Sequence, residues 1–190
     1  MRRHLDSLYG TLLKSSEVAG FTLMEIAYTP NLRLPTHSHR SAYFCLVLHG
    51  GFTECYGRNS RACRPSTLIF HPSGERHSDY FHAPARCFNL IISVPWLERV
   101  REHSTIVNGG ADFRGGVLPH LAMKVYREFR QADGISPLIV EGLMLEILGE
   151  ASRQSIKPAG RTPPPWLVRA LGLLRDRFRE NLSLTEIAGA

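Results

Sequence analysis

The sequence predicts a mainly β domain, a barrel or sandwich of short strands, followed by helices and a fragment of a second helical unit. Three observations carry this prediction. Between Phe21 and Val94, short apolar runs of strand length are separated by Gly, Pro and Asn, the punctuation of an all-β fold. After Val94 the apolar residues recur at helical spacing. Finally, Ser152 to Pro165 (SRQSIKPAGRTPPP) is polar and rich in Pro and Gly, which marks a linker before a last helical segment.

The strands come first. Phe21 to Tyr28 (FTLMEIAY) ends at Pro30, and Ala42 to Leu48 (AYFCLVL) is apolar on both faces, which predicts a central strand covered on two sides. Phe52 to Tyr56 follows Gly50-Gly51 and is expected to be its hairpin partner, with Gly57-Arg58-Asn59-Ser60 as the next turn. Thr67 to Phe70, Arg76 to Phe81 and Cys87 to Val94 supply three more.

The helices follow. Pro95 opens a short helix at its first position, and Asn108-Gly109-Gly110 and Gly115-Gly116 are loops. Val117 to Gln131 places Leu118, Leu121, Ala122, Val125 and Phe129 on one stripe. Ser136-Pro137 opens the next helix, whose Leu138 to Leu148 segment is apolar nearly all round. Such a helix needs cover on two sides; either a helical hairpin hides it or a second subunit does, and a homodimer is the expectation. Beyond the linker, Pro165-Trp166-Leu167 starts an amphipathic, basic helix that ends near Asn181, and Ser183-Leu184-Thr185-Glu186 is a capping box opening another.

Composition narrows the class. With 190 residues, 43% of them hydrophobic, the chain can bury a sizeable core. No apolar run approaches the ~20 residues that cross a bilayer, and Leu5-Asp6-Ser7 interrupts any signal-peptide core after Met1-Arg2-Arg3-His4. A cytoplasmic protein without membrane contact is expected. Cys45, Cys55, Cys63 and Cys87 include no C-x-x-C pair and are read as reduced and structural. The net charge of +6 hints at an acidic partner such as nucleic acid.

The chemistry concentrates between His37 and His77. His37 and His39 lie one residue apart on an extended segment and face one side. His77 arrives after the Pro72-Ser73-Gly74 turn and meets them if the intervening strands close into a barrel. Neutral imidazoles ligate Zn, Fe, Ni and Cu, and three of them leave open positions. The other reading has them hydrogen-bond a small polar ligand, or one another, without metal. Glu75 is read as serving the turn, His71 as a loop residue, and His49, His82 and His103 as surface residues. No G-x-S-x-G, P-loop or dinucleotide fingerprint occurs.

These residues resemble the cupin motifs. In the first motif, His37, His39 and Gly50 match while Tyr43 stands at the glutamate; in the second, Pro72, Gly74 and His77 match while Phe81 stands at the asparagine. Asn31 and Ser66 replace the leading glycines. The tail, Leu182-Ser183-Leu184-Thr185-Glu186-Ile187-Ala188, is similar to the start of the first helix-turn-helix of AraC-type transcriptional regulators. Together these resemblances imply a double-stranded β-helix sensor barrel at 1–94, helices for dimerisation at 95–155, a linker at 156–164 and the truncated start of a DNA-binding domain at 165–190. They imply a small-molecule effector near His37, His39, Tyr43 and His77, a homodimer, and DNA as partner of the full-length protein but not of this fragment. A divalent metal (Zn, Ni or Fe) on His37, His39 and His77 is possible under this reading and no cofactor is certain. The alternative is a metal-dependent cupin enzyme, a dioxygenase or isomerase, using the same three histidines.

Overall fold

Parity along the strands, alternating between two apolar clusters, builds the first unit. The computed structural model describes residues 9–103, 109–156, 164–177 and 180–189, and the chain divides into two compact units, Met1–Ile156 and Lys157–Ala190. In the first, ten strands form two sheets: β1 (Thr11–Val18), β2 (Phe21–Tyr28), β3 (Leu32–His37), β4 (Tyr43–His49), β5 (Phe52–Tyr56), β6 (Asn59–Cys63), β7 (Thr67–His71), β8 (His77–Phe81), β9 (Ala85–Ile92) and β10 (Ala111–Arg114). One sheet runs β1-β2-β9-β4-β7-β10 and the other β3-β8-β5-β6.

In the larger sheet, one parity of side chains faces the smaller sheet: Met24, Ile26 and Tyr28 of β2, Tyr43, Cys45 and Val47 of β4, Ile69 of β7 and Cys87 of β9 join Leu34, Phe52 and Phe81 in one cluster. The other parity, including Phe44, Leu46, Leu68, Phe70, Phe88 and Leu90, packs with helix residues in a second. A strand flanked by both clusters must be apolar at every position. This explains AYFCLVL at β4.

The expected hairpin between Ala42–Leu48 and Phe52–Tyr56 does not form. β4 pairs with β7 and β9, whereas β5 pairs with β6 and β8. The Gly50-Gly51 segment therefore crosses from one sheet to the other. At Gly50 the φ is +71°, and a Cβ there would lie 2.1 Å from the Pro84 carbonyl oxygen, so only glycine fits the crossing. The expected turn at Gly57 to Ser60 is also shorter than read, since β6 already begins at Asn59.

Helices cover the outer face of the larger sheet. α1 (Val94–Arg101), α2 (Val117–Arg130) and α3 (Ser136–Ile156) follow the expected periodicity, and Leu118, Leu121, Val125 and Phe129 of α2 meet Val140, Met144, Ile147 and Leu148 of α3 in the outer cluster. At the start of α3 the amides of Ile135 and Ser136 donate to Asp133 Oδ1 at 2.9 and 3.0 Å. The Ser136 hydroxyl accepts from the Asp133 amide.

One carboxylate fastens α2 to the sheet. Glu25 of β2, fully buried, accepts from Tyr126 Oη at 3.1 Å and from Arg130 Nη1 at 3.0 Å, and pairs with Arg86 of β9. Burial alone would raise its pKa, but Arg86, Tyr126 and Arg130 together outweigh that and hold it below the ordinary carboxylate value.

The second unit holds α4 (Pro165–Asp176) and α5 (Leu184–Ala188). The capping box forms as the sequence predicts: the Glu186 amide donates to Ser183 Oγ at 3.2 Å, and the Ser183 amide to Glu186 Oε2 at 2.9 Å. α4 runs to Asp176, short of the end near Asn181 that the sequence predicts; Phe178 and Arg179, like most of the expected linker, lie outside the described residues.

Candidate functional site

The two sheets enclose a polar pocket inside an apolar one. His37 ends β3 and His39 lies just beyond it, in the loop before β4; His77 opens β8 and Tyr43 opens β4. The structure brings all four together. The His37 ring centroid is 4.9 Å from that of His39 and 4.3 Å from that of His77, and His39 lies 4.9 Å from Tyr43. Register explains the meeting: His37 and His77 are direct partners across β3 and β8.

Hydrogen bonds fix the tautomers. His37 Nδ1 donates to the Pro35 carbonyl at 2.9 Å and His77 Nδ1 to the Glu75 carbonyl at 3.3 Å. A carbonyl only accepts, so these Nδ1 atoms carry protons and Nε2 is the atom each ring has left to offer a ligand. Tyr43 Oη lies 3.5 Å from His77 Nε2. Burial, helped by neighbouring imidazoles, lowers His39 to about 3, and burial lowers His77 to about 4, so both rings are neutral at pH 7. The ligand atoms of His37, His39 and His77 all lie within 4.8 Å of one another. Convergent imidazoles, two of them with Nδ1 anchored on a backbone carbonyl, suit a divalent transition metal.

Two residues read otherwise from the sequence stand beside these four, and His71 lines the pocket with them. His71 is not a loop residue: it ends β7, is buried, and stacks flat on Tyr43 with centroids 4.5 Å apart. Burial lowers it to about 3. Glu75 does more than serve the turn, because its Oε2 comes within 3.5 Å of His71 Nδ1. His49, His82 and His103 are exposed, as expected.

A charged row that no local sequence motif marks lies beside the histidines. Asp79, Glu54 and Arg61 face one another across β8, β5 and β6, and Arg61 Nε donates to Glu54 Oε2 at 2.5 Å. Burial pushes Asp79 up to about 8, with the Glu54 charge adding to the effect. The signal was parity: Glu54 shares its strand face with buried Phe52. The pocket, which Tyr9, Tyr28, Cys45, Cys87 and Asn89 also line, measures about 30 Å³, room for an ion or one to two waters.

The cupin glycine positions keep their backbone geometry without glycine. Asn31 and Ser66 have φ of 61° and 63°, the left-handed region that glycine adopts freely. The turns of both motifs thus persist although their leading residues changed.

Comparison with known proteins places this architecture. Residues 23–148 match the family model of the AraC-like ligand binding domain. The chain belongs to that family. Like other AraC-like ligand binding domains, it has a cupin fold, mainly β with helices. ToxT from Vibrio cholerae O395 aligns at TM-score 0.54 and 10% identity, covering 90% of this chain and 68% of that chain. A cupin superfamily protein from Desulfitobacterium hafniense DCB-2 aligns at TM-score 0.40 and 8% identity over 44% of this chain and 78% of that one. The DMSP lyase DddQ from Ruegeria pomeroyi DSS-3 aligns at 0.38 and 22% over 40% and 39%. At 10% identity the likeness to ToxT is one of fold. No curated protein matches the AraC-like chain in sequence.

Proposed function

We propose that this chain is the ligand-sensing and dimerisation part of an AraC-type DNA-binding transcriptional regulator. The observation that carries the reading is the family match over residues 23–148, the same residues that build the pocket and pack α2 and α3 on its scaffold. The effector is a small polar molecule recognised by His37, His39, Tyr43 and His77. DNA contact is assigned to the helix-turn-helix domain whose first helices resemble residues 165–190, and subunit contact to the helices at 95–155. The setting is cytoplasmic; no described helix is long and apolar enough to cross a membrane.

The mechanism follows from size. A pocket of about 30 Å³ is far smaller than the roughly 300 Å³ or more that an organic ligand occupies. An effector therefore binds a wider form better than this one, and the difference in affinity is the signal. Glu25, tied to Arg86 on β9 and to Tyr126 and Arg130 on α2, lies on the route from the sheet to the helices.

The test is a melting-temperature screen of polar metabolites on the purified chain, with His39→Ala as control. A compound that raises the midpoint by several degrees in the parent chain only, and is recovered unchanged, supports a sensor. A compound converted to product during incubation overturns it in favour of the metal-dependent cupin enzyme.

A further inference from the structure

Beside the histidines, three buried carboxylate oxygens accept no hydrogen bond: Glu54 Oε1, Glu75 Oε2 and Asp79 Oδ1; His71 Nδ1 and Arg61 Nη2 are likewise without a partner. The cluster sets the Glu54 and Glu75 carboxylates, beside an Asp79 that burial favours in its protonated form, against one guanidinium. Buried charge without a partner is costly, and an anion brought here would meet those two carboxylates. A cation would relieve them.

We propose that Glu54, His71 and His77 form a second metal site, for a divalent transition ion of the zinc kind, distinct from the set His37, His39 and His77, with Glu75 as fourth donor. The ligand atoms of Glu54, His71 and His77 lie within 4.8 Å of one another. All three residues are buried, at 0%, 3% and 2% relative exposure. His71 Nδ1 stands 3.4 Å from Glu54 Oε1 and 3.5 Å from Glu75 Oε2. Zinc bonds of 2.0–2.1 Å in a tetrahedron space their donors by about 3.3 Å, so these separations are close to those of donors around one ion.

The surroundings orient the donors. Arg61 Nε holds Glu54 through Oε2 at 2.5 Å and leaves Oε1 turned to His71, the outer contact that ligating carboxylates need. Cys63 Sγ also reaches Glu54 Oε2, at 3.9 Å. The Glu75 carboxylate takes a hydrogen bond from the Gly110 backbone. Tyr43, parallel to His71 within 10°, fixes the imidazole plane. The His77 Nδ1 proton is committed to the Glu75 carbonyl, so only Nε2 can ligate, at 4.0 Å from Asp79 Oδ2. One nitrogen cannot serve two ions at full strength. The two sets therefore exclude each other, and the chain takes one ion.

The experiment titrates zinc into the full chain against a chromophoric chelator. The expected result is one zinc per chain, an affinity lowered at least a hundredfold in Glu54→Gln and His71→Phe, and an affinity within threefold of the parent in His39→Ala. Parent protein that fails to compete for zinc overturns the proposal, as does loss in His39→Ala with retention in His71→Phe. Where a variant does not fold, ¹⁵N-labelled histidine spectra of the parent decide: zinc shifts the His71 ring nitrogens if the site is real, and leaves them unmoved while His39 shifts if it is not. The proposal is independent of the sensor reading, since effector-induced melting shifts are measured without added zinc.

Discussion

The Tyr43 hydroxyl stands 3.5 Å from His77 Nε2 while its ring lies flat against His71. One residue thus touches both histidine sets. It occupies the position where the cupin motif has a glutamate, and gives the first set a phenol in place of a negative ligand. Burial, with the nearby acidic groups, raises that phenol well above its ordinary pKa, so it stays neutral.

Tyr43→Glu restores the missing carboxylate. Zinc affinity at His37, His39 and His77 rises roughly tenfold or more, about 1.4 kcal/mol per decade, as read by chelator competition. Tyr43→Phe, which keeps the stack, changes stability by only about 1 kcal/mol or less. An unchanged zinc affinity in Tyr43→Glu, with binding still lost in His71→Phe, would leave the ion on Glu54, His71 and His77 rather than on the first set.

The motif residues were legible because their spacing is local. His37 ends β3 and His39 follows after one intervening residue in the loop, and Pro72-Ser73-Gly74 fixes how His77 enters β8. Glu54, Arg61, Asp79 and His71 each stand alone in the sequence. They meet only through the register β8–β5–β6 and the turn of β7 toward them, and register is not written in any one strand. The same limit hid the pairing of β4, whose neighbours come from β7 and β9 rather than from the next strand. The overlooked strands β1, β6 and β10 are all sheet edges. An edge strand takes its order from one neighbour's backbone, so NSRAC and ADFR carry little apolar pattern.

Glu25 sets an acid limit on stability. Its folded pKa is held below the value near 4.5 expected for a free glutamate, so its contribution is fully present above that value and is lost as pH falls through the folded pKa. Glu25→Gln is expected to cost about 1–3 kcal/mol at pH 7, discounted because Arg86 and Arg130 are nearly half exposed. Urea midpoints of parent and variant differ by a constant amount above about pH 5.5 and converge as the pH drops below 4.5. A gap that persists at pH 3 would assign the loss to packing rather than charge.

Ser66 carries a φ of 63°, a conformation costing a serine about 1–2 kcal/mol. Ser66→Gly removes that cost but adds unfolded-state entropy, for a net gain of roughly 0.5–1 kcal/mol in thermal or urea unfolding. Asn31, at φ 61°, tolerates the region better, so Asn31→Gly is close to neutral. Equal gains at the two sites would contradict this account.

α3 divides its apolar residues between two surroundings. Val140, Met144, Ile147 and Leu148 are buried against α2 and the sheet, whereas Leu138, Ile139 and Leu145 remain 71%, 39% and 43% exposed. An apolar stripe opposite a filled one suits a second subunit. Leu145→Glu and Leu138→Glu are therefore expected to convert a dimer to a monomer in light scattering while leaving the melting temperature of the dilute protein nearly unchanged. Met144→Glu, on the buried side, should instead unfold the unit, because a charge cannot enter that core unpaired. A parent chain that is monomeric at high micromolar concentration would remove the dimer, and the stripe would then need another partner.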